Sequence, residues 1–251
     1  MIEIPANENG FVKFTVEPIN YVSLVRLGAS LVIKNPRDTS KLMQRQRIFR
    51  QVTAYNDKGK APFTEVELAA LSPALGKRIS RAVDEVLDQK EECKIISPEE
   101  ADGVSAPILV KLGSPLTMGS ESITELEFHA KTYGDIEAVF SEDNAGEQTI
   151  LFIENMAKPI TSDLKLQALP SWAVDQITPN DGIFISRFVL PRFFGIARKV
   201  MESVEVMAYH KATPDLSSMS IILIARKLEI FNRTHKDKLK FDAQIAGAKL
   251  K

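Results

Sequence analysis

Pro107–Phe140 reads PILVKLGSPLTMGSESITELEFHAKTYGDIEAVF, and its periodicity changes halfway along. Ile108, Leu109, Val110 and Leu112 form an apolar strand, followed by a stretch rich in Gly, Ser and Pro. A second strand then alternates, with Ile123, Leu126 and Phe128 marking its apolar side. Thr132 is placed to cap a short helix carrying Ile136, Val139 and Phe140. A period of two that gives way to one near 3.6 predicts a β-hairpin feeding a helix. Nothing in this stretch has the look of catalysis.

Working outward toward the N-terminus, FVKFTV (11–16) is a short strand closed off by Pro18. YVSLVRLGASLVI (21–33) suits either a helix or strands, and its β-branched content with Gly28 tips the reading to strands. Asn35-Pro36 is a stop. The following segment carries Arg37, Lys41, Arg45, Arg47 and Arg50 around Leu42, Ile48 and Phe49, so it reads as a solvated face before it reads as a phosphate-binding stripe. Asn56–Lys60 is a turn. Thr64 and Glu67 form a capping box at a helix start. Ser72-Pro73 then opens a second helix, with Leu75, Ile79, Val83, Val86 and Leu87 on its apolar face. DQKEECKIISPEEADGVSA (88–106) turns acidic and loop-like. The expected organisation is therefore a mixed N-terminal region over 1–90, a linker over 91–106 and a hairpin-plus-helices domain over 107–251. The fold class is α+β.

Toward the C-terminus, 141–146 is a polar loop and Thr149–Met156 a helix ending near Lys158-Pro159. Leu164, Leu166 and Leu169 lead to Pro170-Ser171-Trp172. Thr178-Pro179 announces another helix, with Ile183, Phe184, Phe188 and Val189 pointing inward until Pro191. Helical rhythm resumes over 192–210. A last helix follows Thr213-Pro214-Asp215, with a basic end and a frayed or clasped tail.

The chain has 251 residues, 44% hydrophobic and 26% charged, with 32 Lys plus Arg against 33 Asp plus Glu and a net charge of −1. This is the composition of a folded chain with no global field to gather nucleic acid or anionic membrane. The start MIEIPANENG has neither a basic nor an apolar run, so no signal peptide is expected. The apolar runs SIILIA from Ser220 and GIFI from Gly182 are too short to cross a bilayer. His129, His210 and His235 lie in unlike contexts, and His129 is expected to face solvent. No metal spacing, phosphate loop or nucleophile motif occurs, so neither catalysis nor a cofactor is expected. Cys93 sits beside Glu91 and Glu92, where a thiolate is disfavoured. The aromatics Trp172, Phe184, Phe188, Phe193 and Phe194 crowd one stretch, either as core or as exposed anchors for a partner.

The order of strand, turn, SITELEF, and an Asp at a helix start, followed by ILFIENMAKP, resembles phage tail assembly chaperones. Thr124, Glu125, Leu126, Tyr133 and Asp135 carry the resemblance, and LQALPSWAVDQITPNDGIFISRFVLPRF extends it, with Asp181 and Phe188 or Phe193 as its marks. It spans Ile108 to Phe194. The resemblance implies a non-enzymatic protein that binds other tail or baseplate proteins during assembly in the host cytoplasm, as a homo- or hetero-oligomer. The residues before Pro107 and after Phe194 exceed the family's usual size. They leave room for a structural subunit retained in the virion tail or baseplate. A nucleic-acid module using Arg37 to Arg50 and the basic C-terminal segment ranks below both.

Overall fold

In a computed structural model, the described residues are 1–31, 39–87, 91–130, 132–161 and 169–195. The expectations for Asn35-Pro36, Arg37, Leu164, Leu166, His210, His235 and the C-terminal helices and tail lie outside them.

The chain begins with a hairpin that the sequence reading did not anticipate. Strand β1 (Ile2–Glu8) pairs antiparallel with β2 (Phe11–Val16) across the two-residue turn Asn9-Gly10. Both turn residues have positive φ, 54° and 80°, as a turn matching the twist of the strands requires. Helix α1 (Tyr21–Ala29) and helix α2 (Thr39–Gln51) precede β3 (Val52–Asn56) and β4 (Gly59–Ala61), which complete a meander in the order β1-β2-β3-β4. Helix α3 (Glu65–Ala70) follows, with the Glu67 carboxylate accepting from the Thr64 amide at 2.8 Å and from its hydroxyl. Those two bonds, the hydroxyl's first, hold the Glu67 carboxyl below its ordinary pKa. Helix α4 (Pro73–Glu85) starts where expected, with the Ser72 hydroxyl accepting from the Leu75 amide. Its Leu75, Ile79 and Val83 join Phe11, Phe14 and Ala54 in one buried cluster. The Phe14 and Phe63 rings meet there at 5.2 Å.

The expectation of strands at 21–33 is overturned over Tyr21–Ala29, which is helical. Asn20 caps α1 by accepting from the Ser23 amide at 2.7 Å, and Tyr21 and Val22 are buried in a different core from that of the first sheet. Tertiary burial on a helical face outweighs the strand leaning of the β-branched residues here.

The second sheet has the order β5-β6-β7-β8. Its centre is the predicted hairpin, β6 (Ile108–Met118) and β7 (Glu121–Phe128). Two details differ from expectation. Gly113-Ser114-Pro115 lies within β6 and not in the turn, which is only Gly119-Ser120; the extra residues form a bulge between Lys111 and Leu116. Ile123 is consequently out of phase with Leu126 and Phe128, yet all three are buried because the register shifts between them. The 91–106 segment is not a spacer. Strand β5 (Lys94–Ile95) pairs with β6, and Cys93, Ala101 and Val104 are buried in the same core as the hairpin. His129 is half-buried, with its Nε2 3.2 Å from the Val104 carbonyl, and does not face solvent as expected.

Thr132 caps helix α5 (Tyr133–Phe140) as expected, and Asp135 completes a capping box with it. Helix α6 (Ala145–Met156) starts earlier than expected, capped by Asn144, and the chain passes straight into β8 (Ala157–Pro159), which pairs with β7. Short α7 (Ser171–Val174) and α8 (Pro179–Phe184) follow. With both helices and antiparallel sheets, the fold is α+β.

The segment Thr178–Gly182 ties these parts together. Asp181 is fully buried, and its carboxylate accepts from the amides of Gly113 (2.8 Å) and Ser114 (3.2 Å) in the bulge and from the Thr178 hydroxyl (2.9 Å). The Asp181 amide donates back to Thr178 Oγ1 at 3.2 Å. Asn180 donates to the Leu87 carbonyl at the end of α4, at 2.7 Å. The Tyr21 amide donates to the Ile177 carbonyl at 2.8 Å. At Gly182 any Cβ would fall 2.1 Å from Tyr21 Cγ, so α1 docks only because that position is glycine. Asp181→Ala would orphan two bulge amides, each costing on the order of 1–3 kcal/mol. The expected loss is about 2–4 kcal/mol in a urea titration, with Asp181→Asn falling between it and the parent chain.

Candidate interaction surface

Helix α8 begins at the Asp181 anchor and continues through a wide π turn, Ile185–Val189, into helical residues as far as Gly195. Pro191, expected to end the helix, lies inside it. Proline lacks the amide for a regular helical bond and crowds the carbonyl four residues back. The π turn just before it opens the backbone, and the Leu190 amide reaches the Ile185 carbonyl.

That wide turn reassigns which side chains point inward. Ile185 and Val189 are buried, as are Asp181 and Gly182 before them. Ile183 and Phe188, expected inside, are 37% and 55% exposed. Phe184 is half-buried, and its ring lies 4.9 Å from that of Phe188. Ile183, Phe184 and Phe188 thus form an apolar patch on one short stretch.

The other predicted anchors separate. Phe193 is a core residue, 1% exposed, with its ring 5.2 Å from Phe152, which itself stacks on Phe128 at 5.1 Å. The expectation that Phe193 lies at an interface is overturned: it fills the space between α6 and the hairpin sheet. Phe194 is half-buried edge-on to Phe140 at 4.6 Å. Trp172 is 53% exposed on α7, a separate helix from the α8 patch. Ile183 was legible as part of the stretch but not as exposed, because its apolar side chain groups it in sequence with Phe184, Phe188 and Val189, while the buried residues beside it are Asp181 and Gly182.

Two arginines of the basic segment are paired with carboxylates of other elements. Arg47 donates to Asp84 at 3.0 Å and to the Val83 carbonyl at 2.8 Å, and Arg45 pairs with Glu65 at 3.1 Å. Among the described residues no group of three metal-ligating side chains occurs, and no helix is long and apolar enough to cross a membrane. Cys93 lies buried beside Asp181, and burial first, then the Asp181 charge, pushes its thiol above the ordinary range. The chain matches no protein-family profile, no curated protein and no solved structure.

Two outcomes follow. Phe193→Ala should cost about 3–5 kcal/mol, as truncation of a buried aromatic does, while Phe188→Ala should change stability by less than about 1 kcal/mol; urea midpoints of the two variants check this. Because the folded thiol of Cys93 titrates higher than the unfolded one, its protonated form is favoured in the fold. Its contribution is complete below the unfolded thiol pKa of about 8.5 and is lost as pH rises above it. Stability measured from pH 7 to 10 should fall along that limb, and the Cys93→Ser variant should show a shallower fall.

Proposed function

We propose that this chain is a tail or baseplate morphogenesis protein of a tailed phage, acting without catalysis by holding other tail proteins. The reading rests on the resemblance of Ile108–Phe194 to tail assembly chaperones. The observation that carries it is the exposed apolar patch of Ile183, Phe184 and Phe188, with Trp172 on α7 as a second exposed ring. Large aromatics held half in water are the residue types that dominate protein–protein contacts once covered. The partners are other tail or baseplate proteins, and the setting is the host cytoplasm during assembly. A second version, a structural subunit that stays in the virion tail, draws support from the additional sheet and helices before Pro107. Nucleic acid ranks below both, because Arg45 and Arg47 are already paired with carboxylates.

The test is co-expression of the chain with tail-tube and baseplate genes of the same phage, followed by purification of any complex and by analysis of finished particles. Capture of tail proteins, weakened roughly tenfold or more by Phe188→Ala or Trp172→Ala without loss of folding, supports the proposal. Presence in purified virions selects the structural version, and capture without virion presence selects the chaperone. Finding the chain in neither place sinks both. Tight, steeply salt-dependent DNA binding that is lost in Arg45→Ala and Arg47→Ala would promote the nucleic-acid reading instead.

A further inference from the structure

A cavity of about 460 Å³ opens between α1 and the end of α2, away from the aromatic patch. Asn20, Ser23, Arg26 and Ser30 line it from α1, three or four residues apart and therefore along one face of the helix. Arg50 closes it from the last turn of α2. Ile19 and Leu27 supply buried apolar surface to the same cavity. No carboxylate is among the described residues that line it.

Arg26 and Arg50 are unlike the other arginines nearby. Arg45, Arg47 and Arg81 each hold a carboxylate at 2.7–3.1 Å. Among the described residues, the side chains of Arg26 and Arg50 have no ion pair and no hydrogen bond. Both also stand in the last turn of a helix, where a positive charge complements the terminal carbonyls. That accounts for each charge separately but not for two arginines lining one hollow without a counter-charge among its described lining residues. The neighbouring Gln51 is already committed, donating to the Glu17 carbonyl at 3.0 Å and accepting from Arg47.

We propose that this cavity binds an oxyanion, a phosphate or carboxylate group, gripped between Arg26 and Arg50. Each guanidinium offers a planar fork of donors that matches such a group two bonds at a time. The Asn20 amide and the Ser23 hydroxyl add neutral donors along the α1 side. A hollow of this size admits a small anionic molecule or one acidic group with its carrier. The proposal is independent of the aromatic surface and of its partners.

The experiment is calorimetric titration of the full chain at low salt with pyrophosphate in one arm and citrate in the other. Saturable binding in either arm is expected, and the arm that binds more tightly identifies the chemistry. Arg26→Gln and Arg50→Gln should each weaken it roughly tenfold or more, the loss typical of a removed charged hydrogen-bond pair. Lys77→Gln, at an exposed position on α4 that does not line the cavity, should leave it unchanged. Both arginines are exposed, so unchanged melting of the unliganded variants will separate lost binding from lost folding. No saturable binding of either probe, or binding indifferent to both arginine substitutions, overturns the proposal.

Discussion

A buried carboxylate in the first turn of α8 is the constraint on which the arrangement of this chain depends. Asp181 has no exposed surface, and an ion in that position is tolerable only when its oxygens are filled by donors. Here the donors are the Gly113 and Ser114 amides and the Thr178 hydroxyl. The two amides belong to the bulge in β6, where the register shift leaves residues unopposed by β7. Bulge and carboxylate thus answer each other: an irregular strand leaves amides to be satisfied, and a buried anion needs amides. Neither half would be stable without its counterpart.

From this anchor the two cores are joined in a way that a simple boundary misses. Helix α1 belongs in sequence to the first sheet, yet Tyr21 and Val22 are buried with the second. The close approach at Gly182 and the bond from Tyr21 to Ile177 lock α1 onto α8. Gly146 also lies close to Val25, where a Cβ would sit 2.6 Å from Cγ1, so α6 receives the same helix on another side. Asn180 reaches back to Leu87 at the end of α4. The N-terminal region is therefore fastened to the rest at α1 and α4, and the segment read as a linker, 91–106, is itself built into the second core.

Local signals were legible in the sequence, and long-range ones were not. The Thr64, Ser72, Thr132 and Thr178 caps could be read because a cap is a matter of side chains three residues apart. The β6–β7 hairpin could be read from alternation. The Asn9-Gly10 turn carries an equally local signal, since that dipeptide between alternating strands is a strong hairpin signal. What the sequence could not disclose is the phase of a strand after a bulge, or of a helix after a π turn. Gly113-Ser114-Pro115 reads as a turn unless a distant Asp181 is known to take its amides. Phe188 reads as core on a regular helical period, and the π turn shifts it outward, whereas Ile183 lies ahead of that turn and is exposed on the α-helical part. The arginines of this segment read as one solvated face, although Arg47 is consumed by Asp84 and Arg50 is left to the cavity.

The exposed patch inherits its rigidity from the same anchor. Phe188 stands two turns or so beyond Asp181, on a helix whose inner side is fixed by Ile185, Val189 and Phe193 in the core. A ring presented from so firm a base loses little conformational freedom when a partner covers it, and that entropy is one of the main costs of association. The π turn serves this arrangement directly. By widening the backbone ahead of Pro191 it lets one helix bury Val189 and Phe193 while its Phe188 remains paired with Phe184 at the surface. A regular helix at this place would either break at the proline or carry Phe188 on a different face. The backbone irregularities in β6 and in α8 therefore act in series: the first holds Asp181, Asp181 holds the start of α8, and the second sets which apolar side chains that helix leaves outside.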